Sequence, residues 1–271
     1  MHGAEPLLTP TLVIVCVVMV LAAAAVNRLV LNGSVWEAPS AAVRAALQLA
    51  AVSMVLAVAL QRVWSSALVL SVMFIVASIT AARRSQARYG AAWLAVALAV
   101  GMVMVIPLLT FSGVVPFVGV AVVPVFGIVL GGTMTASAMA ARRALDALSQ
   151  RAGEVEAALS LGLSERFSRM LVIERPLSDA LLPNLDQART AGLVTLPGAF
   201  VGVLLATGSA AQAAAVQVLV LVSLLLAQVC GVAVVGELVA RGKIARPNGA
   251  VALSERRLRR SRGRSSRWPT V

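Results

Sequence analysis

Histidine is almost missing from this 271-residue sequence: its single copy, His2, stands at the extreme N-terminus. Imidazole acid–base catalysis and histidine-held metals within the body of the chain are thereby excluded. Cysteine is nearly as rare. Cys16 and Cys230 both lie in apolar runs and are separated by most of the chain, so neither a disulfide framework nor a CxxC metal site is available. A P-loop is missing too: it must end in Lys-Ser or Lys-Thr, whereas the sole Gly-Lys pair, Gly242-Lys243, is followed by Ile244. ATP chemistry, if used, must come from another chain. HExxH, GxSxG and paired carboxylates within apolar stretches do not occur either, so no enzymatic activity is expected.

Charge is also scarce. Only 13% of residues are charged, 60% are hydrophobic and the mean hydropathy is +0.93, whereas a soluble surface needs about a quarter of residues charged. The composition describes a polytopic membrane protein, multi-pass in the cell (inner or plasma) membrane. The net charge is +12. In a soluble chain that would point to nucleic acid, but membrane proteins concentrate Lys and Arg on the cytoplasmic side. The expected partner is the lipid membrane, with no nucleic acid.

Apolar runs cover 7–26, 43–60, 63–82, 91–110, 114–141, 188–206 and 213–239, each close to the ~20 residues with which a helix crosses the hydrocarbon. The expected fold is all-α with about seven transmembrane helices. MHGAEP, before the first run, lacks the positive charge of a signal peptide, so that run is expected to be retained. Asn32-Gly33 predicts a turn and Pro39-Ser40 the start of the next helix. Pro116 and Pro124 predict kinks in the fifth run. If the long polar stretch 142–187 is cytosolic, every Lys and Arg except Arg62 falls inside, which places the N-terminus outside and the C-terminus inside. Residues 1–241 then form the transmembrane domain. Residues 242–271 form a basic tail with little to bury, expected to be disordered, serving as a topology signal or attracting anionic headgroups.

The polar stretch carries a pattern of its own. Val155, Leu159, Leu163, Phe167 and Leu171 recur every four residues, with Ala158 and Met170 on the same face and Glu154, Glu156, Glu165 and Arg166 off it. Gly162 can end a helix and Ser164-Glu165 can cap the next, while Pro176 stops or bends it. The prediction is a helix continuing from the fifth span, a break at Gly162, and a short amphipathic helix near the membrane surface.

Glu156-Ala157-Ala158-Leu159, leading to Gly162, resembles the Glu-Ala-Ala loop of ATP-binding cassette transporter permeases. There a coupling helix docks in a groove of the ATPase subunit. The family's later Ile and Leu-Pro find Ile173 and Arg175-Pro176 one residue late. A second block, Leu181 to Ser209, resembles the FetB-like permease family, also called UPF0014, whose members include a bacterial iron-export permease and plant aluminium-tolerance membrane subunits. The pattern is met by Leu182, Pro183, Asp186, Arg189, Thr190, Gly192, Leu193, Val194, Leu196, Pro197 and Gly198, with Thr195 in place of the usual Ser. Gly132 stands where relatives commonly carry Asn, Ala210 where they carry Pro and Val216 where they carry Tyr, while Gln217 is kept.

The resemblance implies the permease subunit of an ATP-binding cassette transporter, exporting an iron-like metal ion. It implies a homodimer with a separate ATPase subunit; this chain binds no cofactor, and ATP and Mg belong to that partner. It assigns ATPase docking to Glu156, Ala157, Ala158, Leu159, Gly162, Phe167 and Leu171. Signature or translocation roles fall to Pro183, Asp186, Arg189, Thr190, Gly192, Thr195, Pro197, Gly198, Gly202 and Gln217. From the residues themselves, Asp186 and Arg189 can pair at i,i+3, Pro197 opens the hydrogen-bond ladder of the sixth span, and Gly198/Gly202 and Gly127/Gly131 permit close helix contact. Gln48, Gln217, Ser223 and Gln228 are expected to face the bundle interior. Asp186, Glu174, Glu237 and Thr195 are the oxygen donors for a hard cation, but they define no metal site. A secondary transporter working alone, or an adaptor recruiting a cytosolic partner, are the alternatives.

Overall fold

The computed structural model describes residues 10–30, 32–59, 63–112 and 119–246, and all of their regular structure is helical. Pro116 and the arginine-rich stretch 247–271 lie outside the described residues. Residues 1–62 and 63–271 form two units.

The first unit is a helical hairpin. α1 (Pro10–Leu29) and α2 (Glu37–Ala59) are joined at the turn foreseen from Asn32-Gly33. Asn27 closes that turn, donating through Nδ2 to Ser34 O at 3.1 Å and to a Glu37 carboxylate oxygen at 3.3 Å. The second expected span is thus helical from Glu37 onward, and Gln48 is exposed on it rather than turned inward.

The second unit holds α3 (Val63–Ser85), a 3-10 turn (Ala91–Trp93) running into α4 (Leu94–Phe111), and α5 (Gly119–Gln150). Four shorter helices follow: α6 (Ala152–Ser160), α7 (Glu165–Asp179), α8 (Leu182–Thr190) and α9 (Gly198–Thr207). The last is α10 (Ala210–Ala240). Five helices among the described residues are long and apolar enough to cross a membrane: α1, 64–85, 91–111, 122–150 and α10.

The core forms where α4, α5 and α10 meet, and small residues set its spacing. A Cβ on Gly101 would lie 2.7 Å from Ala227 O, and one on Gly231 would lie 2.9 Å from Ser137 Oγ. Helices in lipid gain from such contact because packing, not water exclusion, drives their association. Ala97, Ala140, Ala144, Ala227 and Val235 are fully buried there. The GxxxG spacings do not mark this contact: Gly131, Gly198 and Gly202 face open space, and Gly127 meets only the tip of Met73. Gln217, Ser223 and Gln228 do point inward, as expected.

The sixth expected span, 188–206, is not one helix. α8 stops at Thr190 and α9 begins at Gly198. Thr190 O accepts from the N–H groups of Leu193 and Val194 at 3.2 and 3.0 Å, Gly192 takes φ +84, and Pro197, which has no N–H to extend a helix, becomes the N-cap residue of α9. Ten residues of α9 reach about 15 Å, half the hydrocarbon thickness.

Order also extends past the expected boundary at 241. Gly242 (φ +69) ends α10, with Gly242 N donating to Val239 O and Lys243 N to Leu238 O, both 2.9 Å. Ile244 is buried, and Arg246 pairs with Asp146.

Candidate functional site

The polar stretch folds as two short helices set against the ends of the long ones. α5 continues to Gln150, and the chain breaks first at Arg151, earlier than expected. The predicted break at Gly162 is present: φ is +86, with Gly162 N donating to Leu159 O at 3.0 Å and Leu163 N to Ala158 O at 3.2 Å. This is the paired bonding of a Schellman stop, which requires the left-handed conformation glycine adopts freely. Ser164 caps the next helix as foreseen, its Oγ accepting from Phe167 N at 3.3 Å. Pro176 does not stop α7, which runs through it to Asp179.

The break resets the helical phase, so the four-residue stripe is not a single face. Val155 and Ala158 are buried, but Leu159, Phe167 and Leu171 are 38%, 48% and 50% exposed, and Leu161 is 83% exposed. α7 buries Ser168, Arg169, Val172, Ile173 and Leu177 instead, with Leu177 seated against Gly236 of α10. Exposed apolar side chains therefore stand on α6, on the turn after it and on α7, with Glu156 and Ala157 also exposed. An open cleft of about 640 Å³ is lined by Arg143, Asp146, Arg151, Asp179 and Pro183 among others.

Two arginines of α7 fasten it to α10, and a third, at the end of α10, joins them there. Arg166 donates to Glu237 through Nε (2.8 Å) and Nη2 (2.7 Å), and Arg241 donates to the same carboxylate. Arg169, nearly fully buried, donates through Nη1 to Ala240 O at 3.1 Å and through Nη2 to Glu165 at 2.8 Å. All three guanidiniums gather at the C-terminal end of α10, where the helix dipole favours positive charge. On the other side Arg151 donates to Val172 O at 3.3 Å and grips Glu154, whose carboxyl is held below its ordinary range mainly by that hydrogen bond.

Toward the other end of α10, Gln217 Oε1 accepts from Phe200 N at 3.1 Å. Gln217 is buried, and its side chain satisfies one of the free N–H groups in the first turn of α9. The break between α8 and α9 therefore sits between two helix ends, with Thr195, Leu196 and Pro197 crossing it. Pro183 lies in the first turn of α8, where a missing N–H costs nothing. Asp186 and Arg189 make their i,i+3 pair at 3.2 Å, both well exposed; such a pair contributes about 0–1 kcal/mol. Thr190 Oγ1 donates back to Asp186 O, and Gly192 supplies the turn. Of the signature residues, Arg189, Thr190, Gly192, Thr195, Pro197 and Gly198 lie in or next to the break, whereas Pro183 stands at the far end of α8, Gly202 within α9 and Gln217 on α10.

A family model described as "Uncharacterised protein family (UPF0014)" matches residues 10–243. The chain belongs to the UPF0014 family. It is 31% identical over 218 residues to the UPF0014 membrane protein STAR2 of Oryza sativa subsp. japonica, covering 79% of this chain and 75% of that one. It is 29% identical to the Protein ALUMINUM SENSITIVE 3 of Arabidopsis thaliana, covering 66% of each. It is 28% identical to the Probable iron export permease protein FetB of Escherichia coli, over 48% of this chain and 50% of that one. No solved structure matches it significantly.

The proposed oxygen donors of this UPF0014 protein are dispersed. Glu237 is taken by Arg166 and Arg241, Asp186 by Arg189, and Glu174 is exposed on α7. Among the described residues no three His, Cys, Asp or Glu side chains gather as a metal-holding group. Sequence reasoning missed the Arg166–Glu237 and Arg169–Ala240 ties. One signal was visible, since Glu237 is the sole acid in the apolar run 213–239.

Proposed function

We propose that this membrane protein is the permease subunit of an ATP-binding cassette transporter that moves a metal ion outward, powered by a separate ATPase subunit. The observation that carries the reading is the exposed apolar surface of Leu159, Leu161, Phe167 and Leu171 on a helix pair bound rigidly to the long helices. An amphipathic helix laid into a partner's groove is a recurring mode of recognition. Similarity to a relative named as a probable iron export permease supports metal export. ATP and Mg belong to the partner, and this chain acts without catalysis of its own.

In this reading the chain is oriented with its C-terminus and α6–α7 in the cytosol, as the distribution of Lys and Arg favours. Force applied to α7 enters α10 through Glu237 and Ala240 O, and α5 through Arg151. The direct side-chain ties of α7 to α10 run through Arg166 and Arg169. α10 is continuous for about 30 Å between Glu237 and Gln217, where its amide grips α9. Tilting α10 then moves α9 against α8 and opens or closes the break, a rigid-body form of alternating access. A cation in transit meets the C-terminal end of α8 at the break, where the helix dipole favours positive charge. The open Gly198/Gly202 face of α9 supports packing against a second copy in a homodimer.

The test is gentle purification of the full chain with mass spectrometry of its companions, followed by ATPase assays with iron, aluminium and other ions. A stoichiometric ATPase stimulated by one metal ion is the expected result. Absence of any ATPase under several mild conditions would leave a lone carrier or an adaptor as the better account.

A further inference from the structure

A basic corner lies where the end of α3 meets the segment after α10. Tyr89 and Ala245 bridge through their backbones, with Tyr89 N donating to Ala245 O and Ala245 N to Tyr89 O, both 3.1 Å. Arg88 N also donates to Ala245 O at 3.1 Å. Gly90 takes φ +69 so close to Lys243 that a Cβ there would lie 1.7 Å from its carbonyl oxygen. The corner is therefore built to one geometry. It presents Arg83 and Arg84 in the last turn of α3, then Arg88, all exposed. Lys243 Nζ rests 4.4 Å from the centre of the Trp93 ring, and Trp93 and Tyr89 are 42% and 61% exposed.

The arginines of this corner differ from those paired elsewhere in the described residues. Arg142, Arg151, Arg166, Arg169, Arg189, Arg241 and Arg246 each pair with a carboxylate. Among the described residues Arg83, Arg84 and Arg88 have no acidic partner. The carboxylate of the neighbouring segment, Asp146, is occupied by Arg246, which also donates to Ser85 O and Gln86 O. The corner joins the ends of two helices long and apolar enough to cross a membrane, 64–85 and 91–111. Exposed Trp and Tyr beside Arg at such ends are the side chains that settle at headgroup depth. The sequence past Arg246 adds arginines at 256, 257, 259, 260, 262, 264 and 267.

We infer that this corner is a binding site for anionic phospholipid headgroups, with Arg83, Arg84 and Arg88 holding phosphate oxygens and Trp93 and Tyr89 setting the depth. Arginine suits this ligand because its planar fork can offer two parallel donors to one phosphate. Each basic residue near an anionic surface adds enough that losing three lowers the preference about 100-fold at low salt.

The experiment uses the full chain in neutral detergent, with native mass spectrometry of lipid retained from mixed phosphatidylglycerol and phosphatidylcholine. The wild type is expected to retain phosphatidylglycerol selectively, and less so as salt rises. The variant Arg83→Gln/Arg84→Gln/Arg88→Gln, whose side chains are exposed, should keep the wild-type melting temperature in phosphatidylcholine and lose most of that selectivity. A second variant, truncated after Arg246, should keep it. Equal retention of both lipids by the wild type, undiminished selectivity in the triple variant, or its loss in the truncation alone would each overturn the assignment. So would displacement of the phosphatidylglycerol by equimolar oligonucleotide, which would make nucleic acid the ligand.

Discussion

Arg166 on α7 and Glu237 on α10, 71 residues apart in sequence, face each other in a two-pronged ion pair with contacts of 2.8 and 2.7 Å. The pair joins the surface proposed to receive an ATPase to a helix that traverses the core, and separates two properties that a docking helix usually confounds: holding the partner and transmitting its motion.

Glu237→Gln is expected to leave the ATPase bound while lowering ion-stimulated turnover, because the two-pronged grip of Arg166 is lost. Arg166→Gln should do the same, and the double variant should be little worse than either single one. Co-purification and turnover measured on the same preparations check this. Loss of the ATPase itself from Glu237→Gln would show that the residue shapes docking rather than transmission.

Phe167→Asp should act the opposite way. The side chain is 48% exposed, so the melting temperature should hardly move, whereas loss of a central apolar anchor weakens an interface by about 2 kcal/mol or more. Pull-down of the ATPase should fall at least about 30-fold. Gly162→Pro should also weaken docking, by destroying the turn that requires φ +86. Unchanged co-purification in both would remove α6–α7 as the docking element.

Gln217→Met removes the acceptor for Phe200 N while keeping the side chain's length. The Phe200 N–H, half-buried at the start of α9, then loses its partner, and the variant should melt earlier and transport poorly with its ATPase still attached. Wild-type transport in this variant would detach the break in the sixth span from α10.

Adjacent glycines offer a control on the packing. A methyl at Gly132 would lie 2.3 Å from Leu224 Cδ1 and 2.8 Å from Gln228 Nε2, whereas one at Gly131 meets nothing within 4 Å. Gly132→Ala should destabilise by about 1–3 kcal/mol through overpacking. Gly131→Ala should be neutral or slightly stabilising, since alanine favours a helix interior by up to about 1 kcal/mol. Thermal melts of the two side by side decide the matter, and equal melting temperatures would contradict the packing described for α5 and α10.

Much of this was legible in the residues because it depends on local chemistry. Apolar runs of membrane length set the long helices; Gly162 and Ser164 set a stop and a cap that need only their own neighbours. Pro197 announced a disturbance in the sixth span, though not that it divides the span in two. The phase of the surface stripe was misread because a four-residue period was carried across a break, and once the helix restarts at Glu165 its inner face is chosen by what α5 and α10 offer. Phe167 and Leu171 turn outward because Arg169, Val172, Ile173 and Leu177 fit the ends of those helices. Likewise the ties of Arg166 to Glu237, Arg169 to Ala240 and Gln217 to Phe200 join residues brought together only by the path of the chain, and no periodicity encodes them. The sequence by itself determined a membrane protein of long helices with one polar interruption, since transfer of side chains from water depends on composition and run length. Which helix the interruption grips, and where the sixth span opens, only the tertiary structure decided, since those depend on shape and hydrogen-bond complementarity between distant segments.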